Sequence, residues 1–554
     1  MFDSIFSRRS EAIDCEEVGH TTYSGFPVPP IEKGLPKVVE SICPECIQVI
    51  PARLYEEEGK VFMDKTCPQH GYFKDLYWSD VKLYLKAEEW AFEDGRGLLN
   101  PLVKNGTRCP KACGLCNMHV SHTVCGNLDL TNRCNLSCPV CFANANEAGY
   151  VCEPSLEEVR VMLSAYRNER PVPASVVQFA GGEPTIARHF FEAVRMAKEM
   201  GFSHIQVATN GLKFTDLDFA RRAKEAGLHT LYLQFDGLDD GIYKFTRGRP
   251  LLKEKEKVFE NVRKVGLKIV LVPTVVKGVN DHQVGEILKL AIENMDIMSG
   301  VTYQPVTLTG RIPPEERGRM RYTLTDLAHD IYKQTGLIDP YEDWFPAGCL
   351  APFSRLSAAL RGKEMVTITC HPHCSLATYL FIDAKRRATP ITRFVNIPAL
   401  LKEMDRLARQ ASSTPFKSYT KFKAFLSFKR FFYEDKAPEG LTFVKFLQTL
   451  DGLTNKEMGR GERDGSYTYK SLMVGGMHFM DAYNYQIERV RRCIVHYAAP
   501  NGKIYPFCTY NSGPTYRDKV EKRYSVPLSE WRQGKGHRPR GNLIRVEEVG
   551  VRDG

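Results

Sequence analysis

The chain has 554 residues, 43% of them hydrophobic and 26% charged, with a formal net charge of +10. That length exceeds what a single core serves and implies roughly two to four domains, and the composition is that of an ordinary soluble protein. No apolar run reaches the ~18 residues of a membrane-spanning helix, the opening MFDSIFSRRSEAIDCEE lacks the apolar stretch of a secretion signal, and the mild basic excess suits an acidic surface without calling for nucleic acid. A cytoplasmic protein is expected. Its 17 cysteines, gathered in short repeats, read as metal ligands in a reducing compartment rather than as disulfides.

Residues 1–105 read as a cysteine-rich N-terminal domain. Cys43-Pro-Glu-Cys46 is followed after twenty residues by Cys67-Pro-Gln-His70, two knuckles that suit a tetrahedral mononuclear site for zinc or a rubredoxin-like iron. Residues 106–126 carry Cys109, Cys113 and Cys116 in CxxxCxxC spacing, with Cys125 nine residues beyond. Four thiolates can close a cubane 4Fe–4S cluster completely. A second CxxxCxxC follows at Cys134, Cys138 and Cys141. Three thiolates leave the fourth iron open, as a cluster needs if it is to bind and split a small molecule.

From residue 127 to about 310, short apolar strands alternate with amphipathic helical stretches. The strands are expected at Asn127–Leu130, Ser175–Ala180, His204–Ala208, Thr230–Phe235, Lys268–Val276 and Val301–Val306. Six such units argue an α/β fold with a parallel sheet and right-handed crossovers, curved into a partial (β/α)6 barrel. Chemistry then gathers at the C-terminal strand ends, where Gly181-Gly182-Glu183-Pro184, Asn210 and Asp236 all fall.

Residues 311–554 form a C-terminal region in which cysteines return at Cys349, Cys370, Cys374, Cys493 and Cys508. Pro500-Asn-Gly502 marks a turn between two apolar strands, with Cys493 and Cys508 near their outer ends. Five cysteines in two groups, 349–374 and 493–508, compete for four cluster positions, and the spacing does not say which is the bystander. An insertion spanning 395–487 is expected to be helical. In it Phe422, Phe425, Phe428 and Phe432 recur at helical spacing among Lys421, Lys423, Lys429 and Arg430. Such a helix either lies on an anionic membrane surface or packs its aromatic stripe on the protein.

CxxxCxxC after one strand and GGEP at the end of the next resembles the radical S-adenosylmethionine (SAM) superfamily. The resemblance implies a SAM-binding cluster on Cys134, Cys138 and Cys141, with Glu183 accepting from the methionyl ammonium. Gly181 and Gly182 would let backbone approach the cofactor. Asp236 would hold ribose hydroxyls, Arg247 would pair with the methionyl carboxylate, and Asn210 would sit at another strand mouth. Val140 stands where that superfamily usually has an aromatic residue, so adenine contact would come partly from Phe142. The C-terminal hairpin resembles the auxiliary-cluster hairpin of SPASM and twitch extensions. Three 4Fe–4S clusters, SAM and one mononuclear iron or zinc are therefore the expected cofactors, with a ferredoxin or flavodoxin as electron donor.

The whole arrangement, with Val272-Pro-Thr-Val-Val-Lys-Gly-Val-Asn280 and the PFCTYN hairpin, resembles archaeal tetraether lipid synthase. That family would imply hydrogen abstraction from unactivated lipid-chain carbons and carbon–carbon bonds between isoprenoid chains, on a lipid drawn from an anionic membrane to which the protein attaches peripherally. Alternatives are a related lipid cross-linker and a SPASM-type peptide maturase. A plain electron carrier has no use for Gly181-Gly182-Glu183 or an open cluster corner.

Overall fold

The computed structural model describes residues 21–92, 95–413, 417–447 and 470–533. Its first element is an antiparallel sheet of β1 (Lys37–Ile42), β2 (Val49–Glu57), β3 (Lys60–Cys67) and β4 (Gly71–Trp78), paired in chain order. Side chains alternate across a strand, so Ala52 and Leu54 of β2 and Val61 and Met63 of β3 share one face. There they meet Tyr77, Trp78 and the helix Val81–Glu89 through its Leu83 and Tyr84. Asp80 starts that helix by accepting from the Lys82 and Leu83 amides, at 2.7 and 3.2 Å.

The barrel strands are β5 (Cys125–Thr131), β7 (Val176–Gly181), β8 (His204–Thr209), β9 (Thr230–Gln234), β10 (Lys268–Val272) and β12 (Met298–Pro305), each parallel to the next; the two-residue β6 (Tyr150–Val151) and β11 (Thr274–Val275) lie off this path. All six expected strands are present. Helices Leu156–Arg167, Phe190–Glu199, Leu217–Ala226, Leu252–Val265 and Val284–Glu293 connect them, the first opened by a capping box between Ser155 and Glu158. The core is the layer between sheet and helices, with Val177, Phe179, Ile205, Leu231 and Leu271 fully buried.

The C-terminal region extends this sheet at both edges. After β13 (Phe345–Pro346), β14 (Ser375–Ile382) and β15 (Ala388–Pro390), strand β16 (Lys470–Met477) pairs parallel with β12. At the other edge β17 (Val495–Ala498) pairs parallel with β5 and turns back as β18 (Ile504–Pro506), the hairpin expected around Pro500-Asn-Gly502. The insertion is therefore not helical through residue 487. The run Lys470–Met477 is a strand, because β12 leaves an open edge that must be paired; residues 448–469 lie outside the described residues.

Helix Lys417–Lys429 belongs to a second core with Phe394, Leu401, Leu407 and Phe446. Phe432 is only 7% exposed and Phe428 is half-buried in the same cluster, while Phe425 is 40% exposed but packs on Phe443 with ring centroids 5.3 Å apart. The stripe is therefore largely spent on the protein itself; the side chains of Lys421 and Phe422 lie outside the described residues. No helix among the described residues is long and apolar enough to cross a membrane.

Candidate active site and metal centres

The C-terminal ends of the barrel strands open into a cleft enclosing about 1420 Å³, solvent at its mouth included. Cys134, Cys138 and Cys141 line one side, on the loop that leaves β5, with Gly182, Glu183, Asn210 and Arg247 beside them. Burial pushes the Cys134 thiol up to about 12, with Glu183 and its two sister thiols adding to the rise. Three mutually interacting thiols on one wall of a cleft are the donor set of a cubane with one iron left to solvent and ligand.

Glu183 is buried and accepts four hydrogen bonds, from the Thr185 amide (3.2 Å) and hydroxyl (2.5 Å), the Thr209 hydroxyl (2.7 Å) and the Asn210 amide (2.8 Å). Three of these bonds end on Oε1 and only that from Asn210 on Oε2, so Glu183 offers a ligand cation both its charge and an acceptor site on Oε2. Burial raises its pKa, against the lowering effect of these donors. The glycines make a contact beyond the expected one. A Cβ on Gly181, whose φ is +126°, would meet the Thr131 carbonyl oxygen at 2.2 Å, and one on Gly182 would meet that of Arg133 at 2.2 Å. Those carbonyls accept from the amides of Gly182 and Glu183, each at 2.8 Å. The glycines thus let the strand end clamp the cluster-bearing loop, and both also line the cleft.

Asp236 also departs from expectation. It is fully buried and does not line the cleft; it accepts from Arg247 (Nε 2.6 Å, Nη2 2.9 Å), the Thr246 hydroxyl (2.8 Å) and the Thr274 amide (3.1 Å). No oxygen is left facing a ribose. Its work is to hold the Arg247 guanidinium, which lines the cleft and interacts with the Cys138 sulfur. Asn210 donates from Nδ2 to the Asn135 side chain at 2.7 Å and lines the cleft as expected. Lys255, which sequence reasoning missed, is buried beneath it and donates to the carbonyls of Asn210 and Gln234, each at 2.7 Å. Burial brings its ammonium down to about 7.

Phe142, next to Cys141 in the chain, lines the cleft together with Phe479, Met480 and Phe507. Phe479 and Phe507 stack with centroids 3.6 Å apart, and Phe142 lies 5.9 Å from Phe507. The floor is a belt of amides, in which Gln178 donates to Asn127 and Gln206 to Gln178, both at 2.7 Å. Glu183 is the one carboxylate among the described residues lining this space.

Three further cysteine groups surround the barrel. In the N-terminal sheet the ligand atoms of Cys43, Cys46, Cys67 and His70 all lie within 4.8 Å of one another, with Cys46 and Cys67 sulfurs 3.9 Å apart. Zinc–sulfur bonds of about 2.3 Å at tetrahedral angles place sulfurs about 3.8 Å apart, so this set is already shaped for a metal. Cys109, Cys113 and Cys116 line a small buried cavity together with His119 and Arg491. Cys125 does not join them. It begins β5 on the same strand face as Asn127, which bonds Gln178 inside the barrel, and the groups that feel its charge are Tyr166, Tyr232 and Tyr497. The donor that stands near the three thiols instead is His119, three residues after Cys116; its Nε2 lies 3.0 Å from the Cys493 carbonyl oxygen. With Nε2–H donating there, Nδ1 keeps a lone pair. A CxxxCxxCxxH spacing was the available signal.

The five C-terminal cysteines meet between β14 and the hairpin. Cys374 interacts with Cys370, Cys493 and Cys508, while Cys349 interacts with Cys370 alone among the thiols. Cys508 accepts from the Met480 amide at 3.3 Å, so this group backs directly onto the aromatic wall of the cleft.

Residues 128–291 match the model of the radical SAM superfamily, and residues 35–79 match that of an HMPTM N-terminal zinc ribbon domain. A 7,8-dihydro-6-hydroxymethylpterin dimethyltransferase of Methanocaldococcus jannaschii is 41% identical over 495 residues, 89% of this chain and 96% of that protein. The chain belongs to the radical SAM superfamily. A GTP 3',8-cyclase of Marinobacter nauticus is 24% identical over 50% of the chain and 87% of its own length. Among solved structures, Streptococcus suis SuiB bound to S-adenosylmethionine is 17% identical at a TM-score of 0.32, covering 39% of this chain and 45% of that one. The protein is thus a radical SAM enzyme with 4Fe–4S chemistry, SAM and an additional N-terminal metal site. None of these relatives carries a lipid activity in its name, so the lipid expectation draws nothing from them.

Proposed function

We propose that this enzyme forms carbon–carbon bonds at unactivated carbons of an apolar, chain-like lipid, the tetraether type of coupling being the leading case. The observation that carries this reading is the apolar wall of Phe142, Phe479, Met480 and Phe507 in the same cleft as the cluster cysteines. Aromatic and thioether surfaces bind apolar chains. The cubane on Cys134, Cys138 and Cys141, with SAM on its open iron, supplies a 5′-deoxyadenosyl radical able to take hydrogen from an sp3 carbon. Arg247, fixed by Asp236, meets the SAM carboxylate, and Glu183 sets a negative charge near the ammonium. The aromatic wall excludes water and holds the carbon to be attacked. Joining two carbons removes one hydrogen from each, so each new bond consumes two SAM molecules.

A second reading is favoured by the 41% identical relative and its name. In it a pterin ring stacks on the same aromatic wall, its polar edge is read by the amides of Gln178, Gln234 and Gln304, and methyl groups are transferred to it. A 2-amino-pyrimidinone edge is matched well by a paired carboxylate, and of the one carboxylate among the described residues lining this cleft, Glu183, Oε1 accepts three hydrogen bonds while Oε2 accepts only that of the Asn210 amide. The relative's identity over 96% of its length weighs for this second reading, and the apolar patch of the cleft for the first.

Around the cleft, His119 with Cys109, Cys113 and Cys116 would close one auxiliary cluster, and Cys370, Cys374, Cys493 and Cys508 another, with Cys349 the bystander. The deciding experiment is anaerobic incubation of reconstituted protein with SAM and a low-potential reductant, in parallel with a diether lipid extract and with 7,8-dihydro-6-hydroxymethylpterin. Coupled lipid would appear by mass spectrometry as the sum of its chains less two hydrogens per bond. Methylated pterin without coupled lipid overturns the first reading in favour of the second.

A further inference from the structure

Arginines buried in this protein are paired with carboxylates. Arg321 meets Asp75 and Asp481, at 3.0 and 2.6 Å; Arg492 meets Glu488 at 2.6 Å; Arg517 sits against Asp129 and Glu521. Arg489 is the exception. It is 2% exposed, and among the described residues no carboxylate lies within ion-pair distance of it. Its Nη2 donates to the His478 carbonyl at 2.6 Å, and its Nε points at the Cys374 sulfur, 3.5 Å away. The groups that feel its charge most are Cys374, Tyr77 and Cys508.

A guanidinium taken out of water without an anion costs several kcal/mol. Neutral thiols do not offset that cost; a cluster with four thiolates and a net negative charge does. We propose that Arg489 is the charge partner of a 4Fe–4S cluster on Cys374, Cys493, Cys508 and Cys370, and that it sets this cluster's reduction potential. Adding an electron raises the cluster's negative charge, and a fixed cation a few ångströms away favours that reduced form. The same position puts the tuned cluster behind Phe507 and Met480, against the substrate wall of the cleft. Arg489 acts through the cluster and is a positioning residue for its charge, not a group that touches substrate.

This inference rests on the C-terminal cluster assigned above, and the two are separable. Holoprotein is poised with mediators and dithionite, and the electron paramagnetic resonance signal that disappears in Cys374→Ala and Cys508→Ala identifies the cluster. If wild type shows no such signal, the cluster assignment fails and the inference falls with it. If the signal is present, Arg489→Met should shift the reduced-to-oxidised ratio at fixed potential at least tenfold toward oxidised, about 59 mV for one electron. Arg489→Lys, which keeps the charge, should move it less. Loss of this signal in Arg489→Met with retention in Arg489→Lys equally supports the proposal, since the charge is then what retains the anion. An unchanged potential in Arg489→Met overturns it. So does loss of the signal in both variants, which would mean that the guanidinium shape at the His478 carbonyl, not the charge, is what matters.

Discussion

Arg247 at the mouth of the barrel and Arg489 behind its aromatic wall both aim at cysteine sulfurs, yet only Arg247 comes with its own counter-ion. Arg247 is held by two oxygens of a fully buried Asp236, whereas Arg489 reaches Cys374 with a backbone carbonyl as its other close partner. The difference matches what each site must do. A SAM site empties and refills every turnover, so its cation has to be neutralised when no ligand carboxylate is present. A closed cluster never leaves, so its own negative charge can serve as the permanent partner. On the proposed assignments charge balance thus distinguishes the exchanging site at Arg247 from the resident one at Arg489, although it does not sort the Cys109 group, whose neighbour Arg491 is itself paired with Glu488.

The harshest test of this division removes the exchanging site. Alanine at Cys134, Cys138 and Cys141 is expected to abolish 5′-deoxyadenosine formation and to remove about four irons per chain, leaving the remaining iron in place. Radical formation that survives this change would reverse the assignment of the two CxxxCxxC groups. A finer cut unties Arg247 from its anchor. Asp236→Asn keeps the shape and loses the charge, and SAM affinity measured by equilibrium dialysis should fall roughly 10–100-fold with iron content unchanged. A smaller loss would mean that Thr274, which accepts from Nη2 of Arg247 at 3.0 Å, positions the guanidinium unaided. Cys125 and His119 sharpen the other side. Cys125→Ser should leave iron content and spectra untouched, while His119→Ala should alter the signal of the cluster near Cys116; a loss of about four irons in Cys125→Ser would restore that thiol as a ligand.

Most of the scaffold was legible because its signals are local. Alternating apolar runs marked six strands, Ser155 and Glu158 marked a helix start, and the paired knuckles at Cys43 and Cys67 marked a site that the structure assembles to within 4.8 Å. What was not legible depends on partners far along the chain. The face that Cys125 presents is fixed by pairing with Val495, some 370 residues later. Asp236 looks like a free strand-end acid until Arg247 and Thr274 fold back onto it. Lys470–Met477 becomes a strand because β12 offers it an edge, and the phenylalanine stripe turns inward because Phe394 and Phe446 are there to receive Phe432. The lipid-surface role expected of that stripe loses its apolar half to this packing.

The gentlest effect concerns the wall between the two auxiliary cysteine groups. Glu169 is buried, accepts from the Thr123 amide at 3.1 Å and from the Thr123 hydroxyl, and Thr123 in turn contacts His496 Nδ1 at 2.8 Å. Burial pushes its carboxyl from the usual carboxylate range to about 8. In the unfolded chain the group loses its proton near 4.5, so between about pH 4.5 and 8 the folded state binds more protons than the unfolded one. Stability must then fall as pH rises through that window. Below it the contribution is fully present, and above pH 8 it is gone. Glu169→Gln carries no titrating proton and should flatten this slope. If the variant is set equal to wild type at pH 5, its stability in thermal unfolding is expected to exceed that of wild type at pH 8 by about 3 kcal/mol. Parallel slopes for the two proteins would show that Glu169 is ionised in the folded state and that the cation balancing it has to be sought among His119, His122 and His496.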